Sequence, residues 1–322
     1  MKSSLAIALF AAGCGAASIP QGKAPPKQAP PHTVGGFSAE LPSVTLAPGD
    51  EVLPCFIVPL VLEGPSHLVG GARLTVGPGM HHGNVSARPA TGTGVRACPD
   101  SDRGDAQQAL DVLNGGAVLF GSSTQVVGEE WQSFPAGDGY RIADGFEIIA
   151  RMHYLNASTG SVTVAPRYDW YTIDEATLQH ELGPFAWDQE DIDLAPGADV
   201  TLTARCLFEQ PMHIVSVLPH MHKLGYALDA GFVGGPLDGK TFLTSPGYDP
   251  SNGVIQQYDP PVDLSSADGA WFSCAWHNTL DKQVVYGVGD NEMCILFGYA
   301  WPKPASYSAL VKNGHCVVFG GG

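Results

Sequence analysis

Five of the eleven histidines fall in three short contexts, and imidazoles grouped in this way are the usual raw material of a metal site. His81 and His82 follow Pro78-Gly79-Met80, and His153 lies in the strand-like run Ile148–Tyr154. His220 and His222 are one residue apart in Leu218-Pro219-His220-Met221-His222. Residues i and i+2 of a strand share a face, so His220 and His222 can aim two imidazoles at one ion. Neighbours on a regular strand point to opposite faces. His81 and His82 can therefore share an ion only if the backbone bends, which Gly79 and Gly83 permit. Met293, in Asn291-Glu292-Met293-Cys294, adds a second donor type. A methionine is more often core filler than ligand. As a ligand, its thioether is soft and favours Cu(I), while imidazole suits both copper oxidation states. His220, His222 and Met293 thus form a candidate catalytic, redox-cycling copper set, and His81, His82 and His153 a second, all-imidazole set. Zinc suits the second set but gives no reason for the methionine.

The elements that must position these residues read as strands. Short β-rich blocks recur at Val52–Leu62, Ala117–Phe120, Gly145–Leu155, Ser161–Val164, Asp199–Phe208, His213–Leu218, Gln283–Gly287 and Cys294–Ala300. Turn signals such as Pro78-Gly79, Asn114-Gly115-Gly116, Pro196-Gly197 and Asn252-Gly253 separate them. Only Asp105–Leu113 and Asp174–Glu181 look helical. The chain has 40 glycines and 26 prolines in 322 residues, which also disfavours long helices. The expected fold class is all-β, with two sandwiches of about 130–150 residues each. The divide is expected between Pro166 and Pro196, giving an N-terminal domain at 36–180 and a C-terminal domain at 181–322.

Residues 1–18 read as an export signal, with Lys2 before the apolar run Leu5–Ala12 and a small-residue junction at Gly13-Cys14. Ala11-Ala12-Gly13-Cys14 is similar to a bacterial lipoprotein box, which would make Cys14 a lipidation site. The alternative is ordinary cleavage near Ala16-Ala17-Ser18. Residues 19–35 are proline-rich and expected to be an extended tether. Either processing route places the chain in the periplasm or at the cell surface. The other six cysteines, Cys55, Cys98, Cys206, Cys274, Cys294 and Cys316, then read as a disulfide framework. Their pairing is open from spacing alone, since six cysteines allow fifteen connectivities. A net charge of −16 argues against nucleic acid as a partner. No apolar run is long enough to span a membrane, so a membrane enters only through a lipid on Cys14.

Together, Met80-His81-His82, Met152-His153-Tyr154, His220-Met221-His222-Lys223-Leu224-Gly225 and Asn291-Glu292-Met293-Cys294 resemble the type II, ascorbate-dependent copper monooxygenases, the group of peptidylglycine α-hydroxylating monooxygenase and dopamine β-monooxygenase. Cys274-Ala275-Trp276-His277-Asn278-Thr279 is similar to the family's Cys-x-x-x-Asn-Thr segment. The resemblance runs from about Val52 to Cys316. It implies two tandem jelly-roll-like antiparallel β-sandwich domains, each carrying one copper ion, facing each other across a solvent-filled cleft. It implies that His81, His82 and His153 hold an electron-transfer copper. His220, His222 and Met293 would hold the copper at which O2 is activated and a C–H bond of a small organic substrate is hydroxylated, with ascorbate or a similar reductant as electron donor. It implies disulfides Cys55–Cys98, Cys206–Cys316 and Cys274–Cys294, the last fixing the backbone beside Met293. His213, also histidine in the family, becomes either a supporting residue behind the ligands or a structural residue.

Three positions depart from the family pattern. Leu218 stands where peptide-amidating members have the arginine that anchors the substrate carboxylate, and Phe297 replaces a tyrosine. A charge-assisted anchor and a phenol hydrogen bond are both lost, which disfavours a peptidylglycine substrate. Arg151 replaces a glutamine near the third histidine. Two other readings use the same residues differently. One is a non-catalytic copper-binding lipoprotein at the cell surface, and the other an adhesion module with incidental histidines.

Overall fold

A computed structural model describes residues 19–103, 116–123, 125–248, 255–287, 290–303 and 308–319. Among the described residues, strands follow one another through short turns. The helical pieces are single 3-10 turns at Asp100–Asp102, Glu175–Thr177 and Gly235–Leu237. The protein is all-β, built as two tandem jelly-roll-like sandwiches.

In the N-terminal sandwich one six-stranded sheet contains Thr33–Glu40, Leu68–Val76, Gly128–Ser133, Asp138–Arg141, Arg167–Ile173 and His180–Glu181. The facing sheet contains Glu51–Val52, Cys55–Pro59, Met80–Pro89, Arg96–Ala97, Ala117–Gly121 and Phe146–Leu155. Alternation along Phe146–Leu155 shows how the layers form. Ile148, Ala150, Met152 and Tyr154 enter the main core, while Ile149 on the opposite face joins Cys55, Ile57 and Cys98 in a small separate cluster. The C-terminal sandwich pairs a six-stranded sheet with a four-stranded one. The larger contains Gly183–Gln189, His213–Met221, Gln256–Asp263, Cys294–Trp301, Ser308–Lys312 and His315–Phe319. The smaller contains Asp199–Leu207, Gly225–Val233, Thr241–Ser245 and Gly269–His277.

All three disulfides implied by the resemblance are present: Cys55–Cys98, Cys206–Cys316 and Cys274–Cys294. The last two each join the two sheets of the C-terminal sandwich.

His180–Glu181 pairs with the first sandwich, and Gly183 opens the first strand of the second. The broad linker expected over 166–196 is instead a short connection. Arg167–Ile173 and Gly183–Gln189 are sheet strands, with Pro166 just outside one and Pro184 near the start of the other. The expected helix over Asp174–Glu181 shrinks to one turn, capped by the Asp174 carboxylate accepting from Ala176 N at 3.0 Å. Pairing of Asp138 and Gly139 with His180 and Glu181 then draws the chain into a strand, overriding local preference. The export signal, Cys14 and the helix expected at Asp105–Leu113 lie outside the described residues.

The proline-rich stretch is extended but fastened down. Lys23 and Gln257 exchange both backbone hydrogen bonds, at 3.0 and 2.7 Å, and Ile19 packs against the C-terminal core. Further on, the Pro30 ring covers Gly71, where a Cβ would come within 2.8 Å of it. The first strand begins at Thr33, three residues before the expected domain start. This segment therefore laces both sandwiches together and is not a free tether.

Candidate metal centre

Where His82 lies opposite His153, the ladder between Met80–Pro89 and Phe146–Leu155 is regular; one step on, Tyr154 faces Met80. His81 is the extra residue of a β-bulge, the bend that an adjacent histidine pair requires. Gly79 adopts φ +99°, and a Cβ on Gly83 would meet the Met152 side chain at 2.4 Å. The bulge is held from outside. Gly83 N donates to Ser122 Oγ at 2.8 Å, Ser122 N donates to Gly83 O at 3.0 Å, and Gln125 N donates to His81 O at 2.6 Å. The three rings come together, with centroids 4.9 Å apart for His81–His82, 4.6 Å for His81–His153 and 4.9 Å for His82–His153. One ligand atom from each lies within 4.8 Å of the others. Glu51 Oε1 is 2.6 Å from His153 Nε2, orienting that ring and leaving Nδ1 for a ligand.

The other expected set is positioned by the ladder between His213–Met221 and Cys294–Trp301, where His220 faces Ile295 and Met221 faces Cys294. The register ends at Met221–Cys294, with His222 and Met293 the next residues beyond it on the two segments, and His220 and His222 meet edge-on at 5.3 Å. His222 Nδ1 donates to Asn291 O at 2.7 Å, which turns Nε2 inward. Sequence reasoning missed Glu292. This fully buried carboxylate accepts from His222 N at 2.9 Å, Leu224 N at 2.8 Å and Trp276 Nε1 at 3.1 Å. It clamps the turn after the histidine pair to the segment carrying Met293. Burial pushes its carboxyl upward, opposed by these donors and by His222. The Cys274-to-Thr279 segment acts here too. Trp276 supplies one of those donors, and buried Asn278 Nδ2 donates to Leu194 O, Ala195 O and Lys282 O to fix the corner. The available signal for Glu292 was its position beside Met293, which does not reveal a three-donor clamp.

Burial and neighbouring imidazoles push His81 and His220 down to about 3. They push His82 well below its ordinary value. Burial also lowers His153, against the pull of Glu51. Neutral rings carry the lone pair a metal needs. His81 Nδ1, His82 Nδ1 and His222 Nε2 are buried with no hydrogen-bond partner. Buried polar atoms are nearly always satisfied, so converging orphan nitrogens fit a metal ion, and the histidine-plus-thioether donor set fits copper. Of the other six histidines, four pair with aspartates: His67–Asp144, His180–Asp138, His213–Asp263 and His277–Asp199.

Two expectations are corrected. His213 supports no ligand; it lies at the far end of its strand, about 20 Å from His220 at strand rise. There its ring stacks on Trp301 at 3.7 Å, and its Nδ1 is 3.3 Å from Asp263. The solvent-filled cleft is replaced by contact. His82 lies 5.1 Å from His220 and 6.2 Å from His222 between ring centroids, so the two ligand sets touch. The face bearing His220 continues through Leu218–Phe297 and Ser216–Tyr299. Tyr299 stacks on Tyr140 at 5.6 Å, meets Phe134 edge-on at 5.0 Å, and donates its hydroxyl to Val118 O at 2.9 Å. Leu218 reaches Gly121, and Val215, Leu218, Ile255 and Tyr299 all join the N-terminal core. Apolar side chains at 218 and 297 permit this burial; a guanidinium at 218 would need a partner there. Arg151 donates to Asp102 O at 2.7 Å and Ser86 Oγ at 3.0 Å.

The loop holding the bulge contributes a pH dependence of its own. Glu130 is buried, and its two oxygens accept from Ser123 N at 2.9 and 3.2 Å. Burial raises its carboxyl to about 7. The folded state thus keeps this proton to a higher pH than the unfolded chain, so its stabilisation is greatest below the unfolded value and is lost as pH rises through 7. Between about pH 5.5 and about pH 8, wild type should lose about 2 kcal/mol relative to Glu130→Gln in urea unfolding. Parallel pH profiles would show that Glu130 titrates normally.

No family model matches the chain, and no curated protein matches it. Among solved structures, the STIV MCP matches with TM-score 0.35 and 8% identity over 82% of this chain and 96% of that one. The major capsid protein P2 from Bacteriophage PM2 matches with TM-score 0.32 and 10% identity over 86% and 97%. Likeness at this level carries no argument about function.

Proposed function

We propose that this protein is a copper-dependent monooxygenase, similar to the ascorbate-dependent type II group, that hydroxylates a C–H bond of a small organic molecule. The observation that carries this reading is the convergence of His81, His82, His153, His220 and His222, from three distant segments, on one buried place with orphan nitrogens turned inward. Bound copper would supply the one-electron chemistry that splits O2 between substrate and water, with ascorbate or a similar reductant supplying electrons.

The chain's own residues do the rest. His81, His82 and His153 would hold one ion, with Glu51 fixing the His153 ring. His220, His222 and Met293 would hold the other, with Asn291 O fixing the His222 tautomer and Glu292 the backbone around it. The Cys274–Cys294 bridge restrains the residue next to Met293. Leu218 and Phe297 make the surroundings of His220 apolar and offer no anchor for a substrate carboxylate. Three disulfides are consistent with an exported, oxidising location, and among the described residues no helix is long and apolar enough to cross a membrane.

One observation favours a second reading, a non-catalytic copper-holding protein at the cell surface: the apolar interface around Tyr299 fills the place where a substrate cleft was expected. Hydroxylated product formed in step with ascorbate oxidation separates the two readings. Copper X-ray absorption tests the donor set. The reduced protein should show a long Cu–S contribution that vanishes in Met293→Leu; an unchanged spectrum removes Met293 from the site.

A further inference from the structure

We propose that the outer face of the four-stranded sheet in the C-terminal sandwich binds a neutral oligosaccharide, with Trp271 as its stacking platform. This face looks away from the six-stranded sheet that carries His220 and His222. Alternation along Gly269–His277 sends Ala270, Phe272, Cys274 and Trp276 into the core and leaves Trp271 and Ser273 on the outer side. Trp271 is half-buried there, and its cross-strand partner on Gly225–Val233 is Gly231. A Cβ on Gly231 would stand 2.5 Å from both Cε2 and Nε1 of the indole. The ring therefore occupies the space a side chain would take and lies down against the sheet, which only glycine at 231 permits.

The row beside the indole is polar from edge to edge. Thr203, Ser273, Asp229 and Thr244 are direct cross-strand partners, one from each strand of the sheet. At strand spacing the row spans about 14 Å, the length of a short oligosaccharide. Thr203 and Thr244 are exposed, Thr203 Oγ1 donates to Ser273 Oγ at 3.0 Å, and Asp229 Oδ1 is buried with no hydrogen-bond partner. The carboxylate thus keeps acceptor capacity that the sheet does not fill. A pyranose has the matching two-sided chemistry. The C–H groups of its face meet the negative face of an indole, and its hydroxyls exchange hydrogen bonds with hydroxyl and carboxylate side chains. A protein or lipid partner would need a contiguous apolar patch, whereas this indole has Arg205 and the polar row as its neighbours, with Leu207 out at the margin. Arg205 is turned to Asp238 at 3.5 Å, which leaves the Asp229 charge to disfavour acidic glycans.

The test is isothermal titration of the full protein with cellohexaose, xylohexaose, chitohexaose and an acidic control, trigalacturonate. It needs no copper, so its outcome is independent of the reading above. At least one neutral hexaose should bind, and more tightly than the acidic control. Trp271→Ala should weaken that binding at least tenfold, and Trp271→Tyr, which keeps an aromatic face, should retain most of it. Thr244→Arg, at an exposed position away from the core, should also weaken it by crowding the row and pairing with Asp229. Binding of none of the three neutral hexaoses overturns the proposal, as does tighter binding of trigalacturonate. Undiminished binding by folded Trp271→Ala removes the platform. Should that variant not fold, wild-type affinity in Thr244→Arg overturns the site on its own.

Discussion

His220→Ala should abolish ascorbate-supported O2 consumption, with a fall beyond the ~100-fold upper end for losing a residue that merely supports a metal ligand. The ring is buried and faces His82, His222 and Phe297, so alanine removes a donor that nothing nearby replaces. Copper content should drop, while the Cys274–Cys294 bridge and the strand ladder keep the sandwich folded. Oxygen uptake equal to wild type in the folded variant would sink the oxygen-activating role of the His220–His222 pair. A fall in activity with both coppers retained would move that role to another residue.

Glu292→Ala should be the most damaging change to stability near the site. It strands His222 N, Leu224 N and Trp276 Nε1 in the interior, and a buried donor left without a partner costs about 1–3 kcal/mol each. A total of about 3–9 kcal/mol follows if the donors stay dry, enough to unfold a marginal domain. Glu292→Gln keeps one carbonyl oxygen and should lie between the two. Urea unfolding of the three proteins checks the order; alanine and wild type within error would mean that the donors find other partners. The same clamp ties the turn after His222 to the segment carrying Met293, so weakened copper retention should follow the loss of stability.

The strand pattern was legible because each segment carries its own period. Phe146–Leu155 and His213–Met221 lie close to the blocks read from alternation and β-branched content. The grouping of the histidines was legible for a different reason. An HxH pair on a strand shares a face whatever the fold, and an adjacent pair between glycines announces its bulge. The disulfide pairs came from resemblance, not from spacing. Three features escaped because they depend on who meets whom. His213 stands on the same strand as His220 but at the far end, against Trp301, a distance that a sequence position relative to a motif does not convey. Residues 174–181 have helical composition, yet pairing with Asp138 and Gly139 decides their conformation. The closure of the cleft requires Tyr299 to meet Tyr140, Phe134 and Val118, positions more than a hundred residues away, and no local pattern encodes such a meeting.

The unpaired residue at His81 makes the all-imidazole set a matter of counting as well as of chemistry. Deleting one residue between Gly79 and His82, even with every histidine retained, would restore an uninterrupted ladder against Phe146–Leu155. Strict alternation would then send neighbouring rings to opposite sides of the sheet. The geometry of the set thus depends on the number of residues in this stretch, and not only on which side chains it carries.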